Sequence, residues 1–182
     1  MFRANPEKNS YQDVSTNDLA ASTYSKVEVR PAKIGQGVFA VRDIAAGEPL
    51  LEFTGPIINF DQSLAKGEKM GNVLQIDHDA YIDIDMIPES PAPYVNHSCN
   101  PNAGIIRDRI LIALRQIIAG EEIFFDYSTT MDEDFWTMKC LCGTQDCRGT
   151  VTDFKYLPSE TKQLYLKLGI VQEFIVNSLN KD

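Results

Sequence analysis

Two segments that begin 24 positions apart constrain this chain more than anything else in it. Asn96-His97-Ser98-Cys99-Asn100-Pro101-Asn102 is an unbroken run of polar, turn-forming or helix-breaking residues directly after the apolar pair Tyr94-Val95. Gly120-Glu121-Glu122-Ile123-Phe124-Phe125-Asp126-Tyr127 then places an Asp-Tyr pair at the end of a short apolar run. Neither segment reads as ordinary core packing. Behind them comes Cys140-x-Cys142-x4-Cys147, with the spacing of metal ligands.

The surrounding sequence is strand-like and frequently broken. Val27-Glu28-Val29 alternates and Pro31 ends it, Gly35-Gln36-Gly37 reads as a turn, and Val38 to Val41 reads as a buried strand. Ile44 to Glu48 is a turn, and Leu50 to Phe53 is a strand closed by Thr54-Gly55-Pro56. Residues 61–72 are polar and hold one short helix. Val73 to Ile76 and Tyr81 to Ile84 form a hairpin across Asp77-His78-Asp79, and Ala103 to Ile106 pairs with Arg109 to Leu114 around Arg107-Asp108. Pro88, Pro91 and Pro93 exclude regular structure before Tyr94. Ile123 to Phe125 is the last short strand. Many short strands with Gly/Pro turns point to a compact, mainly β fold rather than a βαβ repeat. Residues 158–179 read as helical, with Leu157, Thr161, Leu164, Tyr165 and Leu168 at helical spacing, Pro158 in the first turn and Gly169 as the stop. A second amphipathic stretch runs from Val171 to Leu179. The domain reading is an N-terminal arm over 1–24, expected to be mobile, a main domain over 25–130, a cysteine segment over 131–152 and a helical extension over 153–182.

Residues 131–150 are poor in apolar side chains and need another staple. Cys140 and Cys142 stand too close for an easy mutual disulfide, and three thiolates are one short of a closed tetrahedral zinc site. The one remaining cysteine of the four is Cys99, so Cys99 is the expected fourth ligand, with His78 and His97 as competitors. The alternative is four reduced thiols without metal. Gly35-x-Gly37-x-x-Ala40 has no helix after it, which argues against a dinucleotide-binding turn and leaves a plain hairpin turn as the alternative. Taken singly, Tyr127 reads as a half-buried tyrosine and His97 as a hydrogen-bonded structural residue. No Ser-His-Asp or HExxH pattern stands out.

Composition narrows the partners. The chain has 182 residues, 26 Asp+Glu against 17 Lys+Arg and a net charge of −9. Without a basic run, recognition of nucleic acid through phosphates is not expected. Acidity either steers a basic peptide toward the protein or only aids solubility. The polar N-terminus and the lack of a long apolar stretch lead to the expectation of an intracellular protein, cytoplasmic or nuclear, that meets no membrane.

Together these motifs resemble the SET-domain protein lysine methyltransferases, over about Tyr24 to Gly149. Gly35-Gln36-Gly37-Val38-Phe39-Ala40 is similar to the family's glycine motif, Asn96 to Asn102 to its NHSCxPN motif, and Glu122 to Tyr127 to its ELxxDY motif with Ile123 for Leu. Cys140-Leu141-Cys142-Gly143 and Cys147-Arg148-Gly149 resemble the post-SET CxCG and CRG elements. The resemblance implies small antiparallel sheets with a pseudoknot and a zinc-stapled post-SET segment. It implies S-adenosylmethionine held by Gly35, Gln36, Gly37, Val38, Phe39, Tyr81, Asn96 and His97. It also implies a lysine channel lined by Phe53, Phe125 and Tyr127, with Tyr127 catalytic where channel and cofactor meet. Zinc would sit on Cys99, Cys140, Cys142 and Cys147. The implied partner is a lysine-bearing protein or peptide, a histone or another basic protein. In the family the aromatic two residues before the DY tyrosine tunes how many methyl groups are added, and Phe125 there implies di- or trimethylation. The chain departs from the family at Glu52-Phe53-Thr54-Gly55-Pro56, where many members have E-Y-x-G-E. It departs again at Pro93-Tyr94-Val95, where many have Arg and an aromatic, and no long cysteine-rich segment precedes the motifs. The rival readings are a zinc-stapled binding module without turnover and methyl transfer to a non-protein amine.

Overall fold

The computed structural model describes residues 23–66, 72–87 and 89–180. Most of the proposed N-terminal arm, part of the polar 61–72 stretch and Pro88 lie outside these residues.

The strands are short and fall into small sheets. β1 (Val27–Pro31) pairs antiparallel with β2 (Gln36–Ala40). The hairpin turns at Gly35, whose φ of 61° suits glycine, so Gln36 and Gly37 already belong to β2 rather than to the turn. β3 (Pro49–Glu52) belongs to a second sheet, and β4 (Ile57–Ile58), β5 (Val73–Asp77) and β6 (Ala80–Asp83) form a third in the order β4-β6-β5. Between β4 and β5 lies the expected short helix, α1 (Phe60–Leu64), opened by a capping box of Asn59 and Gln62.

β7 is the two-residue strand Asn96–His97, and β10 is Glu122–Phe125. They pair in parallel, Phe124 opposite Asn96 and Phe125 opposite His97, and β10 also pairs antiparallel with β2. The order β1-β2-β10-β7 thus lays the polar motif along the strand that ends in Asp126-Tyr127. Asn102 fastens this crossing: its side-chain amide donates to the Glu122 carbonyl and accepts from the Phe124 N–H, both at 2.8 Å.

β8 (Ala103–Ile106) and β9 (Ile110–Ala113) join β3 in the order β3-β9-β8, and every residue of both is buried. A strand's side chains alternate between faces, so this sheet must be covered twice. One face, with Leu111, Ala113, Ala103 and Ile105, meets Val38, Leu51, Ile123 and Phe125. The other, with Ile106, Ile110 and Ile112, meets Phe154, Leu157, Tyr165, Ile170 and Phe174. Burying each large apolar side chain here contributes about 1.5–3 kcal/mol. Gly104 marks the tightest approach, since a Cβ there would stand 2.7 Å from Ile170 Cγ2.

The second cover comes from α2 (Ser159–Leu168) and α3 (Glu173–Leu179). Gly169 ends α2 in the left-handed conformation, as expected, while Pro158 stands just before the helix instead of within its first turn. The expected apolar stripe is narrower than its spacing implied. Tyr165 and Leu157 are buried but Leu164 is 52% exposed, because α2 meets the wall along one line only. The proline-rich stretch also departs from expectation. Ala92–Tyr94 forms a single 3-10 turn that includes Pro93, whose fixed φ suits a first turn. β11 (Met138–Lys139) and β12 (Thr150–Val151) clip the cysteine segment together. None of the described helices is long and apolar enough to cross a membrane.

Candidate active site

The four cysteines converge. The sulfurs of Cys99, Cys140, Cys142 and Cys147 all lie within 4.8 Å of one another, and those of Cys99 and Cys140 are 3.6 Å apart. A tetrahedral zinc with Zn–S near 2.3 Å sets its sulfurs about 3.8 Å apart, so this set fits one closed site. Neither histidine displaces Cys99 from the cluster. Backbone amides already face the sulfurs, with Arg148 N–H donating to Cys99 Sγ at 3.4 Å and Cys142 N–H to Cys140 Sγ at 3.5 Å. Gly143 and Gly149 take positive φ, 73° and 76°, to wrap the chain this tightly.

His97 links this cluster to the Asp-Tyr pair. Its Nδ1 accepts the Tyr127 backbone N–H at 3.3 Å, so its Nε2 carries the proton and points at Cys99 Sγ, 3.5 Å away. Burial pushes the imidazole down to about 4, and the ring is neutral at pH 7. Its role here is to hold the Tyr127 backbone. His97 is not among the residues lining the neighbouring cavity.

That cavity, about 310 Å³, lies beside β5 and β6, and its lining includes Phe53, Tyr81, Asn96, Phe125 and Tyr127. Its volume falls at the small end of ligand pockets. The Phe53 and Phe125 rings meet edge to face at 5.7 Å, and Phe125 and Tyr127 lie 4.8 Å apart, which makes one continuous aromatic wall. The Tyr127 hydroxyl donates to the Val95 carbonyl at 2.8 Å. Its proton is committed there, so the lone pairs of the phenol oxygen remain available as acceptors. Burial raises the phenol's pKa further, and the group stays protonated.

The glycine turn stands one hydrogen bond away from the cavity. Asn96 Nδ2 donates to the Gln36 carbonyl at 2.8 Å and to Glu122 Oε1 at 2.9 Å. Gly37 must lack a side chain, since a Cβ would overlap the Glu122 carboxylate and press on Ala32. Gly35 and Gln36 are exposed, whereas the Val38 side chain is fully buried, which leaves only its backbone for a ligand. Phe39 is half-buried beneath the Arg30 guanidinium, 4.0 Å from its ring centroid. Of the residues expected at the cofactor, the cavity therefore gathers Tyr81 and Asn96, and the 35–39 segment flanks it.

Sequence reasoning missed the group that holds these pieces together. Asp126 is 1% exposed. Arg148 grips its carboxylate with both terminal nitrogens, at 2.7 and 2.8 Å, the Tyr165 hydroxyl donates at 3.0 Å, and the Ser128 N–H donates at 3.1 Å. One buried carboxylate thus joins β10, the cysteine segment and α2. The available signal was the Asp-Tyr and Cys-Arg-Gly adjacency. The partnership with Tyr165 had none.

Comparisons with known proteins agree with this architecture. The family model described as SET domain matches residues 35–128, just over half of the chain. The chain is 32% identical over 127 residues to the histone-lysine N-methyltransferase trr of Drosophila melanogaster, covering 63% of this chain and 5% of that protein. It is 34% identical over 129 residues to human histone-lysine N-methyltransferase SETD1B, covering 63% and 6%. It is also 34% identical over 161 residues to the variant-silencing SET domain-containing protein of Plasmodium falciparum, covering 78% and 6%. The chain spans less than a tenth of the length of these relatives. The crystal structure of the methyltransferase domain of human SETMAR superposes with a TM-score of 0.56 at 20% identity, over 70% of this chain and 58% of that one, and supports the fold alone. By the family model and by the motifs it spans, this chain belongs to the SET-domain family.

Proposed function

We propose that this chain is a protein-lysine N-methyltransferase domain that uses S-adenosylmethionine, with a lysine of a histone or another basic protein as acceptor. The observation that carries the reading is Tyr127. Its phenol oxygen is fixed by the Val95 carbonyl beside Asn96, and its ring continues the wall of Phe53 and Phe125. The cavity's volume, its aromatic Tyr81 and Trp136, and the exposed Gly35-Gln36 backbone tied to Asn96 fit an adenosyl cofactor. When bound, the cofactor supplies a sulfonium methyl group. Phe53 and Phe125 exclude water around the lysine amine. Desolvation in such a channel lowers the pKa of an amine that is ordinarily near 10.4, toward the neutral nucleophile. The free lone pairs of the Tyr127 oxygen would accept contacts from the amine and so orient it toward the methyl group that the cofactor would supply. Incubation with methyl-labelled cofactor and separate pools of histones and whole-cell lysate tests the reading. Cofactor binding without labelling of any protein would favour a binding module instead. The proposed acceptor class places the chain in the nucleus or another intracellular compartment.

The cysteine cluster is proposed as a structural zinc site of Cys99, Cys140, Cys142 and Cys147, with His97 Nε2–H supporting the Cys99 sulfur. Metal analysis is expected to find one zinc per chain. Chelation should loosen residues 131–150, seen as faster backbone hydrogen exchange there, because structural zinc contributes folding free energy directly. A folded, active preparation without zinc would refute the site.

Phe125 faces Phe53, and neither ring carries a hydroxyl that could restrain the amine. The expected product is di- or trimethyl-lysine, and Phe125→Tyr should shift it toward monomethyl-lysine. Mass spectrometry at full conversion checks this, and monomethyl-lysine alone from the wild type would contradict it.

A further inference from the structure

Glu133 is the one acidic side chain among the described residues that line the cavity, and no Lys, Arg or His lines it. The Glu133 carboxylate and backbone are each held by one neighbour. The Tyr81 hydroxyl donates to its Oε2 at 2.9 Å. The Glu133 backbone N–H donates to Asp153 Oδ2 at 2.9 Å, and the Asp134 N–H to the same oxygen at 2.7 Å. Tyr81 is itself fixed: it is 1% exposed and its ring packs against Phe60, which packs edge to face on Phe135. A surface loop would leave a glutamate free to turn into water. Here the backbone, the phenol and the aromatic stack all keep it against the cavity. Burial raises its carboxyl above the ordinary range, and the Tyr81 hydrogen bond opposes that rise. Tyr81 is its only side-chain hydrogen-bond partner among the described residues, and Oε1, which is not fully buried, is open to a ligand. A partly desolvated carboxylate in a largely apolar and aromatic cavity is best satisfied by a cation that brings its own N–H donors.

We propose, resting on the methyltransferase reading above, that Glu133 with Tyr81 forms an ammonium-binding subsite of this cavity. Its ligand is an alkylammonium group. Two reactants carry one: the acceptor lysine, which arrives as its ε-ammonium and must shed that proton and leave the carboxylate before it acts as the neutral nucleophile, and the cofactor through the α-ammonium of its amino-acid part. Either would donate to the Glu133 carboxylate while Tyr81 holds that carboxylate in line.

Trp136 makes the subsite directly observable. It is the single tryptophan of the chain and lines the same cavity. Its fluorescence should respond saturably to n-butylammonium chloride, and only weakly to n-butanol of similar size, at fixed ionic strength. In Glu133→Gln the amide oxygen still accepts from Tyr81, so the fold is retained, as an unchanged melting temperature would verify. The affinity for n-butylammonium should nevertheless fall about tenfold, as loss of a charge-assisted hydrogen bond implies. Repeating the titration with S-adenosylmethionine at saturation separates the two sources. Competition assigns the subsite to the cofactor's ammonium, and an undiminished response assigns it to the lysine. Equal responses in wild type and Glu133→Gln, or none in either, would overturn the proposal. The titration needs no turnover, so a protein that binds butylammonium through Glu133 but methylates nothing would defeat the functional reading alone.

Discussion

Tyr127→Phe is expected to lower the rate of methyl transfer by about 10²-fold, the typical loss when one pre-oriented polar group at a reacting centre is removed. The hydroxyl's position is set by the Val95 carbonyl, so its oxygen is already aimed before substrate arrives. Phenylalanine keeps the ring contacts with Phe125 and His97 and removes only this atom. The lost hydrogen bond should reduce stability by about 1 kcal/mol, too little to account for the rate. Cofactor affinity should change little. Asn96→Ala should do the reverse and weaken cofactor binding, since Asn96 ties the glycine turn to the cavity wall. Isothermal titration with the cofactor, beside single-turnover rates on a labelled substrate, separates the two effects. Near-normal turnover in Tyr127→Phe would remove Tyr127 from the catalytic role.

The largest effect on stability is expected at Arg148. Arg148→Ala should destabilise the fold by about 3–5 kcal/mol, because it leaves the carboxylate of Asp126 buried without its cation. In a domain of this size that lowers the melting temperature by about 10 °C. The damage should reach the active site. The residue after Asp126 is Tyr127, and the Arg148 backbone also donates to Cys99 Sγ. The double variant Asp126→Asn, Arg148→Met removes both charges, and Asn still offers an oxygen to the Ser128 N–H. It should recover most of the lost stability. If the double variant is as unstable as Arg148→Ala, the loss comes from packing of the arginine stem and not from the unpaired charge.

The local part of this architecture is written in short stretches of sequence. Arg107-Asp108 turns the β8–β9 hairpin with φ of 49° and 62°, a conformation that Asp tolerates better than most residues. His78-Asp79 turns β5 into β6, and Gly169 stops α2. The cysteine set was legible because metal-ligand spacing is a local property and only one further cysteine existed to complete it. The motif residues Asn96, Phe125 and Tyr127 carried the site through their resemblance to a family, and β7 and β10 do lie side by side.

What the tertiary structure alone decided are the pairings between distant side chains. The continuous apolar runs of β8 and β9 announce burial on both faces but not what covers each. The C-terminal segment settles that, with Ile170, in the link between α2 and α3, packed against Gly104. Leu164 sits at apolar spacing on α2 yet faces solvent, because helical periodicity defines a stripe and only a docked partner defines how much of it is used. Asp126 finds Arg148 and Tyr165 at separations of 22 and 39 residues, and Tyr81 finds Glu133 at 52. Periodicity, turn chemistry and capping act over a few residues along the backbone. A buried charge is satisfied only by whatever the folded chain brings within about 3 Å of it, and no spacing in the sequence specifies that.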